Sequence, residues 1–106
     1  MGIFNEENEI ESKTYDALKK VIDPEIGINI VDLGLVYKIE YKVESGISVE
    51  MTLSTPGCPM GDAIIGNAES EIKNVFPDEK ITVELVWEPA WKTDFVSEAG
   101  KKALGM

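Results

Sequence analysis

Histidine and arginine are both absent from the 106 residues, and cysteine occurs once. Without histidine there is no Ser-His-Asp or Cys-His machinery and no imidazole metal site. Without arginine there are no guanidinium forks, and a net charge of -10 opposes polyanions, so nucleic-acid binding is excluded. A single cysteine cannot close an internal disulfide, and it has no second thiol in the chain to resolve an oxidised one. No apolar run approaches the roughly 20 residues of a membrane helix. The opening MGIFNEENEIE is acidic and lacks the basic and apolar regions of a signal or transit peptide. We therefore expect a cytoplasmic protein without a membrane or nucleic-acid partner.

What the chain does contain is an ordinary apolar fraction of 43%, enough for one domain's core at this length. Residues 1–11 carry Glu6, Glu7, Glu9 and Glu11 and read as an acidic flexible lead-in, with a single domain over 12–106. From Ser12 to Ile22, Tyr15, Leu18, Val21 and Ile22 recur at helical spacing, Lys19 and Lys20 suit the C-terminal dipole, and Pro24 stops the helix. GLVYKIEYKV then alternates with Tyr37, Ile39, Tyr41 and Val43 on one face. A turn at Glu44-Ser45-Gly46 leads into ISVEMTLS, with Ile47, Val49, Met51 and Leu53 inward, which predicts a β-hairpin. Ile64, Ala68, Ile72, Val75 and Phe76 mark a second helix, ending at Pro77. KITVELVWE predicts a third strand with Ile81, Val83, Leu85 and Trp87 inward. SEAGKKALGM predicts a short last helix capped by Ser97 and Gly105. A strand, a crossover helix and another strand add a parallel pairing to the hairpin, so the expected fold is a two-layer α/β domain with a small mixed sheet.

The lone thiol lies in STPGCP. Pro59 suits the first position of the second helix and makes Cys58 its N-cap. Gly57 permits the sharp turn, so the sulfur is expected where free backbone N–H groups converge. A helix end alone activates a thiol only modestly, and no His or Arg assists. A thiolate completed by an incoming metal or cluster, which brings its own positive charge, fits better than a cysteine nucleophile. A second candidate is Asp23-Pro24-Glu25, where proline fixes the directions of two acids, although such a triplet is commonly a helix stop. Asp32 before Leu33-Gly34 reads as a turn residue. Thr52, Ser54 and Thr55 are candidate strand-face hydroxyls, the last two close to Cys58 in sequence.

Taken together, VIDPEIGINIVDLGLVY, MTLSTPGCP and LVWEPAW…SEAGKKALG resemble the SufT-like and PaaD-like metal-sulfur cluster assembly family over about residues 12–105. The resemblance implies a fold related to iron-sulfur assembly domains and a non-enzymatic role in maturing iron-sulfur proteins. It places cluster binding on Cys58, Thr55 and Ser54, and metal binding on Cys58, Asp23 and Glu25. Its departures are Ser54 where Thr is common, EPAW where DPPW is usual, and Gly100 in place of a frequent Arg.

The implied partners are the assembly machinery and apo client proteins, and the implied ligand is a transient iron-sulfur cluster. One thiol per chain requires that cluster to bridge chains, a homodimer being one arrangement, or to borrow ligands from elsewhere. A non-enzymatic adaptor that docks clients through an exposed face around Trp91 is the alternative. A thiol-redox enzyme ranks last. PaaD-like relatives, which serve aromatic-degradation oxygenases, often carry extra C-terminal cysteines. None occurs up to Met106, so a general role is expected.

Overall fold

Asn8 opens the first helix, α1 (Glu9–Leu18), its side chain accepting a hydrogen bond from the Glu11 N–H at 3.1 Å. The computed structural model describes residues 3–24, 26–53 and 61–105. Helix α1 thus begins before Ser12, inside the stretch expected to be lead-in. Glu9 and Glu11 sit in its first turn, where the helix dipole favours negative charge. Glu11 is buried, and its carboxylate accepts from the Asn5 N–H at 2.8 Å and the Tyr41 N–H at 3.0 Å. The helix also ends earlier than Pro24 would enforce. Lys19 and Lys20 fall beyond the last helical turn, Val21 is buried, and Ile22 is 47% exposed. A competing pairing takes over there: the Val21 N–H still donates back to Leu18, but Ile22 bridges Asn29 antiparallel, the Asp23 N–H donates to Ile28 and the Val21 carbonyl accepts from Ile30.

The predicted hairpin is formed by β1 (Val36–Lys42) and β2 (Gly46–Met51), paired antiparallel. Helix α2, described over Gly61–Val75, crosses over to β3 (Ile81–Leu85), which pairs parallel with β2 to give the mixed order β1-β2-β3. Lys42 pairs with Gly46, so the loop is Val43–Ser45 and the turn lies one residue earlier than expected. Val43 is therefore 83% exposed rather than inward. Gly46 has φ +85°, the left-handed conformation that closes a three-residue hairpin loop, and a Cβ there would lie 2.3 Å from the Lys80 carbonyl oxygen. An irregularity in register between Val36 and Lys38 breaks the predicted alternation, so Val36 and Ile39 are buried and Tyr37 is only half-buried.

Ile64, Ala68 and Ile72 present the buried stripe of α2 as expected, joined by Gly61, whereas Val75 at its end is 41% exposed. Phe76 is half-buried against the core. Because β3 stops at Leu85, Trp87 does not continue its inward alternation and is 43% exposed. The core joins the inner face of the sheet (Ile39, Ile47, Val49, Met51) to Leu18 of α1, the α2 stripe, and Ile30, Leu33 and Leu35 from the connection before β1. Each such side chain, fully buried, contributes roughly 1.5–3 kcal/mol of transfer free energy.

A turn of 3-10 helix at Thr93–Phe95 leads to α3 (Glu98–Leu104). Both of its predicted caps are present. The Ser97 hydroxyl oxygen accepts from the Gly100 N–H at 3.0 Å, and Gly105 closes the helix at φ +79°. Among the described residues no helix is long and apolar enough to cross a membrane.

Candidate functional site

Asp23 lies at the base of the turn that carries the DPE block. Its N–H donates to the Ile28 carbonyl at 3.0 Å, and its own carbonyl accepts from Ile26 N–H at 3.2 Å and Gly27 N–H at 2.7 Å. Gly27 adopts φ +82°, where a side chain would be strained. Asp23 is 3% exposed, so it is not the solvated helix-stop acid that its sequence setting allows. Buried carboxyls are retained where they are hydrogen-bonded, paired or used.

A chain of backbone bonds links this turn to the exit of β2. The Ile30 N–H donates to Val21 at 2.9 Å, the Leu35 N–H to Ile30 at 3.0 Å, and the Thr52 N–H to Leu35 at 2.8 Å. The strand residues that lead into STPGCP are thereby tied to the same end of the sheet as the DPE turn. Glu25, Ser54, Thr55 and Cys58 lie outside the described residues, as does the expected capping by Cys58 and Pro59. Among the described residues, no group of three or more His, Cys, Asp or Glu side chains could hold a metal ion.

The alternation of β2 puts Thr52 on the polar face with Ser48 and Glu50, yet Thr52 is fully buried, and its Oγ1 has no hydrogen-bond partner among the described residues. Backbone pairing continues past the named strands on both sides of this residue, the Thr52 N–H donating to Leu35 at 2.8 Å and the Val86 N–H to Met51 at 2.8 Å. A periodicity of two does not predict the burial of this position. The hydroxyl was visible in the sequence but its burial was not.

Asp32 is the turn residue its position suggests, with a longer reach. Its N–H donates to Asn29 Oδ1 at 2.8 Å, while its carboxylate accepts from Asn29 Nδ2 at 2.7 Å and from the Ser97 hydroxyl at 3.0 Å. Gly100 fits against this junction, since a Cβ there would lie 2.9 Å from the Asp32 carbonyl oxygen. Trp91, expected on an exposed face, is half-buried and donates its indole N–H to Leu33 at 2.6 Å. The Tyr37 hydroxyl donates to the Pro89 carbonyl at 2.6 Å, and burial pushes its phenol above the ordinary value of 10.0. The DLG and EPAW blocks, far apart in sequence, are thus bonded to one another.

Residues 11–85 match the family described as iron-sulfur cluster assembly protein. The chain is 44% identical over 86 residues to the Fe-S protein maturation auxiliary factor SufT of Staphylococcus aureus, a match covering 81% of this chain and 98% of that protein. It is 36% identical over 101 residues to the Fe-S protein maturation auxiliary factor YitW of Bacillus subtilis, covering 94% and 98% respectively. The crystal structure of a domain of unknown function, DUF59, from Bacillus anthracis has the same fold, with a TM-score of 0.86 at 37% identity over 92% of each chain. The family match, the two relatives and the shared fold agree: this chain belongs to the iron-sulfur cluster assembly protein family.

Proposed function

We propose that this protein is an assembly or carrier factor that passes iron-sulfur clusters to apo-proteins in the cytoplasm, with Cys58 as its sulfur ligand and the cluster as cargo. The relay from Thr52 through Leu35 and Ile30 to Val21 is the observation that supports this reading best, because it links the residue before the cysteine block by successive backbone bonds to the segment that carries Asp23. Soft thiolate suits an iron-sulfur cluster, and the hard carboxylates of Asp23 and Glu25 suit iron that is only partly ligated by sulfur. Ser54 and Thr55 supply hydroxyl donors for the cluster's sulfides.

Handover is a ligand exchange rather than catalysis. The bond from iron to the Cys58 sulfur breaks as a bond to a client cysteine forms. The client thiol's proton passes to the released Cys58 thiolate, and the oxidation state of iron does not change. An all-cysteine cluster site needs about four thiolates. One chain supplies one, so the cluster must bridge chains or borrow ligands, and open positions favour attack by the recipient.

Cys58→Ser tests the assignment in cells that lack the wild-type protein. The expected result is loss of iron-sulfur enzyme activity with an unchanged far-ultraviolet circular dichroism spectrum, because serine serves well as an N-cap. Full complementation by this variant would remove the sulfur ligand from the reading.

A further inference from the structure

Where residues 31–37 meet 88–97, the surface forms an open pocket of about 550 Å³ whose apolar walls include Ile3, Val36, Tyr37 and Phe95. Three carboxylates line it, Asp32, Glu50 and Glu88, and no lysine does. Asp32 is committed to Asn29 and Ser97. Glu50 and Glu88 make no ion pair among the described residues. Lys38 stands across the sheet from Glu50, but its Nζ lies 4.0 Å from the Glu40 carboxylate, and Lys92 lies over the Phe95 ring, 5.8 Å from its centroid. The walls are fixed before any ligand arrives. Tyr37 is bonded to Pro89, and Gly34 packs so closely on Phe95 that a Cβ would meet its carbonyl oxygen at 2.2 Å. Little ordering free energy is then spent on binding.

The pocket falls in the range of roughly 300–1,000 Å³ typical of ligand sites, room for one or two side chains but not for a helix. Strand addition to the neighbouring edge of β1 is blocked, because the Ile39 N–H already donates to Ile3 at 2.7 Å and the Tyr41 N–H to Glu11 at 3.0 Å. Recognition must therefore come from inserted side chains. An apolar floor beneath two unpaired carboxylates complements an apolar residue next to a cation.

We propose that this pocket receives an apolar side chain flanked by lysine or arginine, presented by a short segment of a partner protein. The choice of a protein as occupant rests on the reading of the chain as an assembly factor. A random dodecapeptide phage library selected on the full chain tests it, with the double variant Glu50→Gln/Glu88→Gln as counter-target. Both carboxylates lack ion pairs, so this variant should keep the wild-type thermal midpoint. The expected peptides carry a Leu, Ile or aromatic residue beside Lys or Arg. A synthetic copy should shift the amide signals of Gly34, Tyr37 and Phe95, bind about tenfold more weakly to the double variant, and weaken with added salt. No enrichment, enriched peptides without a basic residue, or affinity unchanged in the double variant would overturn the proposal. Cluster reconstitution and transfer by the double variant are expected at wild-type level. Failed selection with normal transfer removes the pocket alone, whereas failed transfer with normal peptide binding removes the carrier reading.

Discussion

The indole N–H of Trp91 donates to the Leu33 carbonyl oxygen across 2.6 Å, joining the segment after β3 to the turn before β1. Leu33 is fully buried, so no water replaces this donor readily. Trp91→Phe keeps most of the ring contact and orphans the carbonyl, a loss of about 1–3 kcal/mol. Urea unfolding should show a lower midpoint with an unchanged slope. An unchanged midpoint would mean that the bond contributes nothing to stability.

Gly34 and Gly27 both have positive φ, +77° and +82°, but only Gly34 faces a crowded neighbour, the Phe95 backbone. Gly27→Ala should cost about 1–2 kcal/mol, the ordinary penalty of a left-handed residue. Gly34→Ala carries the same penalty plus a clash with a carbonyl group, so it should destabilise substantially more and displace the turn at Thr93–Phe95. Equal losses in the two variants would contradict the close packing of these segments.

Thr52 carries a buried hydroxyl without a partner among the described residues. Thr52→Val preserves shape and removes the group, so unfolding free energy should rise by on the order of 1 kcal/mol. A fall would show that the hydroxyl is satisfied in solution, by a trapped water for example.

Burial raises the Tyr37 phenol above 10.0, so the folded state holds this proton more tightly than the unfolded chain does. Stability from this group is fully present below pH 10.0 and is lost as pH rises through the folded value, where the bond to Pro89 also loses its donor. Ultraviolet titration should find a phenol ionising above its ordinary range, and Tyr37→Phe should remove that phenol and flatten the alkaline loss of stability.

The order of elements, the hairpin, the parallel third strand and both caps of α3 were legible because local periodicity and cap chemistry determine them. The errors fall where a long-range bond overrides a local pattern. Helix α1 gives way after Leu18 to pairing of residues 21–23 with the far side of the DPE turn, and Val43 is exposed because Lys42 pairs with Gly46. Trp87 is exposed and Trp91 half-buried, the reverse of what strand alternation and composition suggested, because Trp91 finds its acceptor in a turn nearly sixty positions earlier. At the candidate site, the burial of Asp23 and Thr52 was not legible. Burial of a side chain is set by tertiary packing, and the backbone bonds that link the two segments run through Ile30 and Leu35, which no spacing within either block encodes.

Anaerobic reconstitution with iron and sulfide, followed by addition of an apo-ferredoxin and monitored by visible absorption and Mössbauer spectroscopy, tests whether this chain holds a cluster in order to release it. Incomplete thiolate ligation predicts less than one cluster per chain. That cluster should elute with a dimer or mixed complex, move to the ferredoxin, and fail to form with Cys58→Ser. A monomer that keeps one full cluster through chelator treatment and yields none of it to the ferredoxin would contradict the carrier assignment.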